Sequence, residues 1–180
     1  GEFATGWAAF EQRPDRAAEL GASFAAIPVW DGREFDGTLV VSGEQGFGDV
    51  LQFARFIPQA KLHVRDVVLL LGGDHAALAP LLATLDAGVR VSTDAADLPK
   101  AAPLARISIL SLPHRLAIDA QGLGMAAPYL HAPADRVGAW AHRLATLPHP
   151  RVGLAWSVLA RDVHGFVTRH KSIPPQVLAP

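Results

Sequence analysis

A glycine-rich stretch, GEQGFGD, occupies residues 43–49 and ends in an acidic side chain, Asp49. The apolar run 38–42 precedes it and the helically spaced stretch 49–57 follows it, a pattern that predicts a strand, a turn and a helix. The first turn of a helix offers unpaired backbone N–H groups and the positive end of the helix dipole, and both attract anions. Phosphate is therefore the first ligand to consider for this loop.

The residues around the loop argue against phosphate. The phosphate loop GxxxxGK[ST] needs a lysine and a hydroxyl residue after its last glycine, whereas Asp49 and Val50 follow Gly48. The dinucleotide-binding fingerprint GxGxxG is not matched either, because the glycines here are spaced GxxGxG. A nucleotide-binding oxidoreductase, with Asp66 or Asp74 as its ribose-binding acid, is consequently the least favoured interpretation.

Two roles remain open for Asp49. Its carboxylate can cap the predicted helix by accepting a free backbone N–H, which stabilises a helix by about 1 kcal/mol. Alternatively it can act as a general base, because open α/β sheets bind ligands at the carboxyl ends of their parallel strands. Spacing alone favours the cap, although the glycines beside the aspartate would let a substrate approach the backbone closely.

The composition describes a folded chain and excludes several functional classes. Of 180 residues, 50% are hydrophobic and 18% are charged, which suits a packed core better than a disordered chain. The net charge is −1 and the 16 basic residues are scattered, so we expect no nucleic-acid partner. Cysteine is absent and no apolar run approaches the roughly 20 residues of a membrane span, so we expect a soluble protein of the cytoplasm.

Strand and helix patterns alternate after residue 37, which predicts an α/β domain with a Rossmann-like parallel sheet and helices on both faces. We divide the chain into an N-terminal helical or linker segment (1–37), a Rossmann-like domain (38–148) and the start of a second α/β domain (149–180). Gly1 to Phe3 resemble a cloning remnant, and we expect the chain to be a piece of a longer protein. The predicted strands are 38–42, 66–71, 89–91, 106–110 and 151–156, and the predicted helices are 49–57, 75–85 and 135–147.

The sequence of residues 43–58, GEQGFGDVLQFARFIP, resembles the GEQGLGDTLQFARYLP signature of bacterial tetratricopeptide-repeat glycosyltransferases. Those proteins are related to the heptosyltransferases of glycosyltransferase family nine. Further matching segments follow the family's order along nearly the whole chain: 6–13 (GWAAFEQR), 30–32 (WDG), 111–113 (SLP), 128–130 (PYL) and 151–157 (RVGLAWS).

The resemblance implies a GT-B architecture, in which one Rossmann-like domain takes the acceptor and a second takes a nucleotide-sugar donor. This chain would hold the acceptor half and the opening of the donor half. The resemblance makes Asp49 the base that deprotonates the acceptor hydroxyl for inverting, metal-independent transfer, with no cofactor besides the donor substrate. It makes Lys171 the contact to the donor diphosphate. The implied partners are a nucleotide sugar and a glycan or protein acceptor.

Several other residues are candidates for the same site. Glu44 and Gln45, with Gly46 and Gly48, lie inside the matched signature, where they either contact the acceptor and brace the loop or serve simple turn chemistry. His114 follows a predicted strand and is either an acceptor contact or a loop histidine without a role. The eight histidines include no HExxH pair, so we expect no metal site. Three tryptophans occupy apolar faces and are expected in the core: Trp7, Trp140 and Trp156.

Two hypotheses for function follow. The first is the acceptor domain of a glycosyltransferase that is inactive as an isolated piece. The second is a non-catalytic Rossmann-like binding scaffold, with Asp49 as a cap; it is favoured by Val158 and Leu159, which stand where the relatives usually carry Gly-Asn. We also expect the apolar strand 151–156 either to pack on the first domain or to pair with a second copy in a homodimer.

Overall fold

The computed structural model describes residues 1–15, 17–85, 88–124, 128–157, 162–163, 166–167 and 172–178. The chain forms two compact units, Gly1–Val137 and Gly138–Pro180. The first unit therefore includes residues 1–37 together with the sheet, and its boundary falls inside a helix.

The first unit is built on a four-stranded sheet in which all strands are parallel, in the order β3-β2-β1-β4. The chain runs outward from β1 to β2 and β3, and then crosses to the other side of β1 to form β4. This reversal creates a topological switch point between the carboxyl ends of β1 and β4. The strands are β1 (Phe35–Ser42), β2 (Val64–Leu70), β3 (Arg90–Ser92) and β4 (Leu104–Ser108).

Both faces of the sheet are covered, which is why its central strands read as continuous apolar runs. Side chains alternate along a strand, so Leu39 and Val41 point to one face and Val40 to the other. Leu39 and Val41 belong to the larger core, together with Ile57 from the helical side. Val40 packs in a second cluster with Phe24. The predicted fold class, an α/β domain with a parallel sheet and helices on both faces, is confirmed.

Prolines shorten the helices relative to the sequence prediction, because proline lacks the N–H that would continue a preceding helix. The predicted helix 49–57 is divided in two, with Pro58 in the first turn of the second helix. The predicted helix 75–85 is a 3-10 turn, Gly73–Leu78, followed by a short helix with Pro80 in its first turn. The helices that lie within this unit are α1 (Phe3–Phe10), α2 (Ala22–Ala25), α3 (Phe47–Ala54), α4 (Ile57–Lys61), α5 (Ala79–Leu82), α6 (Leu112–Arg115) and α7 (Ala120–Leu123).

Helix α8 (Ala134–Leu144) begins in the first unit and continues into the second. In the second unit β5 (Asp162–Val163) pairs antiparallel with β6 (Phe166–Val167), and α9 spans Pro175–Leu178. Among the described residues, no helix combines the length and the apolar content that crossing a bilayer requires.

The prediction of a buried strand over residues 151–156 is wrong. This segment has no regular secondary structure, and Val152 and Leu154 are 78% and 69% exposed. A strand needs a neighbour to pair its backbone groups, and the only strand pairing that the described residues of the second unit show is that of β5 with β6.

The prediction of core positions for Trp140 and Trp156 is also wrong, since they are 54% and 41% exposed. Helix α8 carries an apolar stripe but buries none of its residues, so the stripe that suggested a core position stays at the surface. Trp7, in contrast, is half-buried and donates its indole N–H to the Ile118 carbonyl at 2.7 Å.

Candidate functional site

The glycine loop leaves the carboxyl end of β1, beside the turn that leaves the carboxyl end of β4. Ser42 and Ser108 are register partners at the ends of these two strands. The Ser108 hydroxyl donates to the Glu44 carboxylate, which joins the two loops directly. The candidate site therefore lies at the topological switch point, where open α/β sheets form their ligand crevice.

Asp49 occupies the third position of α3. Its Oδ2 atom accepts the backbone N–H of Gly46, the N-cap residue, at 2.9 Å. This bond is one half of a capping box, and the other half cannot form because glycine has no side-chain oxygen. The Asp49 side chain is half-buried, and no hydrogen bond from the described residues reaches its Oδ1 atom. One carboxylate oxygen thus holds the loop, and the other accepts no hydrogen bond from the described residues.

Glu44 is the most enclosed acidic residue of the loop, with a residual exposure of only 8%. Its two oxygens accept hydrogen bonds from the guanidinium of Arg13, Oε1 from Nε at 3.0 Å and Oε2 from Nη2 at 3.2 Å. Oε2 also accepts the Ser108 hydroxyl. Both oxygens are therefore engaged within the chain, an arrangement that braces the loop.

Arg13 supplies the positive charge that makes burial of Glu44 tolerable. Its guanidinium also contacts the Glu11 carboxylate at 2.8 Å and lies over the Phe10 ring, 4.7 Å from the ring centre. Burial alone lowers the pKa of Arg13, but its hydrogen bonds to Glu44 and Glu11 outweigh this effect, so that the pKa lies above its ordinary value. The contacts with Glu44 and Glu11 thus favour the charged form of Arg13.

His75 braces the outer side of the loop. Its Nε2 atom lies 3.0 Å from the Gln45 carbonyl oxygen, and because a carbonyl can only accept, Nε2 carries the proton in this bond. Gln45 has a φ of 62°, a left-handed conformation that non-glycine residues seldom adopt. A Cβ atom at Gly43 would lie 3.0 Å from Nδ1 of His75, so glycine permits this close approach.

The structure brings together most of the residues predicted for the site. Glu44 and Gln45 lie in the loop, Asp49 lies in the first turn of α3 directly after it, and Gly46 and Gly48 are exposed beside them. A Cβ atom at Gly46 would lie 3.1 Å from Asp49 Oδ2, so glycine leaves room for the capping carboxylate.

The other two predicted residues are not joined to the loop in the part of the chain that the structure describes. His114 is half-buried in α6, and no side-chain hydrogen bond between it and the glycine loop occurs among the described residues. Lys171 lies outside the described residues.

Sequence reasoning missed Arg13, Ser108 and His75 as members of this site. Arg13 is 31 positions before Glu44, a separation that no local pattern can connect. Ser108 is part of a predicted strand and His75 of a predicted helix. His75 follows the second strand at its carboxyl end, and this position is the one signal that could have pointed to it.

Two other features of the described residues bear on possible sites: metal-ligating side chains and surface clefts. Among the described residues, no group of three or more histidine and acidic side chains is placed to hold a metal ion. Two shallow clefts of about 370 and 470 Å³ both include Leu62 and His63, just before the amino end of β2. The glycine loop follows the carboxyl end of β1, and none of its residues lines either cleft.

Comparison of the chain with protein-family models, with curated proteins and with solved structures gives no match.

Proposed function

We propose that the first unit is the acceptor side of an inverting, metal-independent glycosyltransferase in which Asp49 is the general base. One observation carries the proposal: a half-buried carboxylate with a free oxygen stands at the switch point of a parallel sheet. Ligands of open α/β sheets bind in this crevice. The reaction type comes from the resemblance of residues 43–58 to the glycosyltransferase signature.

The geometry suits removal of a proton from an acceptor hydroxyl. Asp49 Oδ1 would take the proton while Oδ2 keeps its bond to the Gly46 N–H, so the carboxylate need not reorient. The acceptor oxygen then attacks the anomeric carbon of the donor from the face opposite the diphosphate. The bond from that carbon to the diphosphate oxygen breaks, the nucleoside diphosphate leaves with the electron pair, and the anomeric configuration inverts.

Exposed glycines give the acceptor access to this carboxylate. Gly46 and Gly48 are both exposed, and a Cβ atom at Gly48 would meet no atom within 4 Å apart from its chain neighbours and the backbone of its own helix. A bulky acceptor such as a glycan or a protein side chain would therefore find open space beside Asp49. An open surface beside Asp49 suits transfer to a large acceptor better than a closed pocket would.

The donor half of the proposal rests on the resemblance alone. It assigns the nucleotide-sugar diphosphate to Lys171, which would act as a flexible point charge. It also implies a heptosyltransferase-like GT-B protein of the bacterial cytoplasm that carries tetratricopeptide repeats. In this proposal the present chain supplies the acceptor side and only the beginning of the donor side.

The second candidate function is a non-catalytic binding scaffold. The observation that favours it is the bond between the Gly46 N–H and Asp49, because a helix cap alone explains this contact. In a scaffold Asp49 would have no further task, and its free oxygen would face only solvent.

The two functions are separated by assaying sugar transfer with the complete natural protein that contains this chain. The wild type and Asp49→Asn are tested against a panel of nucleotide sugars. Asparagine keeps one oxygen for the Gly46 N–H but is not a base, so folding is retained and transfer falls by about 100-fold or more. If neither protein transfers any sugar while both fold equally well, the scaffold is the better description.

A further inference from the structure

The glycine loop is anchored from inside the unit by one guanidinium. Arg13 has five N–H groups, and the structure provides five acceptors for them. Nε and one Nη2 proton go to the two Glu44 oxygens at 3.0 and 3.2 Å. The other Nη2 proton goes to the Ser111 hydroxyl at 2.6 Å, and Nη1 donates to the Phe10 carbonyl at 3.1 Å and to Glu11 at 2.8 Å.

Because all five N–H groups of Arg13 are engaged, its role can be distinguished from that of a substrate-binding arginine. A guanidinium with every N–H engaged has none left for a substrate phosphate or hydroxyl. Its side chain is only 15% exposed, and its Glu44 partner only 8%. Arg13 therefore acts on the site through other residues of the chain.

Its partners connect three separate parts of the unit. Phe10 and Glu11 belong to the N-terminal segment, Glu44 to the loop after β1, and Ser111 to the turn after β4. Arg13 thus adds a second connection between the two loops that flank the switch point, beside the direct bond from Ser108 to Glu44. Removing Arg13 leaves a buried carboxylate whose remaining hydrogen-bond partner among the described residues is the Ser108 hydroxyl.

The link from Glu44 to Asp49 is short. Glu44 is followed by Gln45, whose left-handed conformation is held by His75, and then by Gly46, whose N–H binds Asp49 Oδ2. A shift of Glu44 is therefore passed through two peptide units to the carboxylate. No other charged side chain among the described residues forms an ion pair with Glu44.

We propose that Arg13 is a positioning residue: through Glu44 it sets the conformation of the glycine loop and hence the orientation of the Asp49 carboxylate. This inference rests on the proposed function for its catalytic consequence. Its conformational part concerns the chain alone, so the two parts are tested by separate measurements.

The conformational measurement is amide hydrogen exchange of Gly46 in the ¹⁵N-glycine-labelled chain. We compare the wild type with Arg13→Ala and with Arg33→Ala, whose arginine is 87% exposed and pairs with Asp31 on the surface. Arg13→Ala is expected to speed exchange at Gly46 by about tenfold or more, because the bond to Asp49 is loosened. Arg33→Ala is expected to leave it unchanged.

The catalytic measurement is sugar transfer by the complete natural protein carrying the same substitutions. Arg13→Ala is expected to lower kcat by about 10- to 100-fold with little change in the KM for the donor, as misplacement of a reacting group does. Guanidinium ions at millimolar concentration should restore part of kcat. Arg13→Lys should not replace arginine, because an ammonium cannot form the paired bonds to Glu44.

The outcomes separate this inference from the proposed function. If Arg13→Ala folds and exchanges Gly46 at the wild-type rate, the positioning role is overturned whatever the transfer assay shows. If exchange is faster but the wild type transfers no sugar, the loop anchor stands and the proposed function fails. If Arg13→Ala does not fold, Ser111→Ala is measured in its place, because it removes one of the five acceptors of the Arg13 guanidinium. An unchanged rate of Gly46 exchange in Ser111→Ala then overturns the inference.

Discussion

Replacing Glu44 tests how much the buried ion pair between Arg13 and Glu44 contributes to the stability of the first unit. Replacing it with glutamine keeps the size of the side chain but removes the charge and turns one acceptor oxygen into a donor group. The carboxylate accepts three hydrogen bonds, two from Arg13 and one from Ser108. The substituted amide cannot accept all three, and its NH₂ group faces donors.

The magnitude follows from the enclosure of the pair. Because Glu44 and Arg13 are only 8% and 15% exposed, water replaces little of what is lost. Removing one partner of such a buried pair lowers the free energy of unfolding by about 3 to 5 kcal/mol. Glutamine keeps part of the hydrogen bonding, so we expect a loss of about 3 kcal/mol from the free energy of unfolding. Glu11→Gln is the matched control, since Glu11 gives Arg13 a single bond at 2.8 Å and should cost about 1 kcal/mol.

Native-state amide exchange of β1 is the appropriate assay, because it reports the opening of the sheet of the first unit without contributions from the second. The free energy of opening at Leu39 and Val41, both fully buried, measures the loss directly. A cost for Glu44→Gln no larger than that for Glu11→Gln would refute the description of Glu44 as a buried, fully engaged carboxylate.

Two further predictions concern the core and an outlying ion pair. Leu69→Ala removes a fully buried side chain of the larger core and should lower the free energy of opening, measured by amide exchange, by about 2 to 5 kcal/mol. Leu154 is 69% exposed, so Leu154→Ala should change stability by less than about 0.5 kcal/mol. Equal effects would contradict the assigned burial. Partial burial raises the pKa of Asp15, but the Ala17 N–H and the Arg106 guanidinium outweigh it and hold that pKa below its ordinary value. The stabilisation is therefore present above the unfolded-state pKa and is lost as the pH falls through the folded-state value. Because Asp15 is 62% exposed, Asp15→Asn should lower stability at neutral pH by less than about 1 kcal/mol, and the difference should vanish in acid. Thermal unfolding at several pH values measures this difference between the wild type and Asp15→Asn. A stability difference that grows as the pH is lowered would contradict the expected pH dependence.

Local patterns predicted the architecture because the forces that shape it are themselves local. The apolar runs before Gly43 and Gly72 are typical of strands buried on both faces, and the turn and helix after Gly43 followed from spacing. The helix predicted over 75–85 was too long because apolar spacing was given more weight than the proline at position 80. In the second unit, the apolar composition of residues 151–156 suggested a strand, but composition does not provide the neighbouring strand that pairing requires.

The candidate site was predictable only in its local part. The loop that contains Asp49 was visible in the sequence, and its helix-capping contact is the one that an aspartate at that position would be expected to make. The Arg13–Glu44 pair was not, because it depends on the fold bringing together residues 31 positions apart. Burial of Glu44 likewise follows from the packing of the turns after β1 and β4, which no single segment encodes.

The central claim is that Asp49 removes the proton from an acceptor hydroxyl, and a single-turnover measurement of sugar transfer tests it most directly. Asp49→Asn is compared with Asp119→Asn in the complete natural protein. Asp119 is a matched control because it also caps a helix, accepting the Gln121 and Gly122 N–H groups at 2.9 Å. We expect the rate of transfer to fall by about 100-fold or more in Asp49→Asn and to stay unchanged in Asp119→Asn. Equal rates in the two variants, with equal stability, would contradict the account and leave Asp49 as a helix cap.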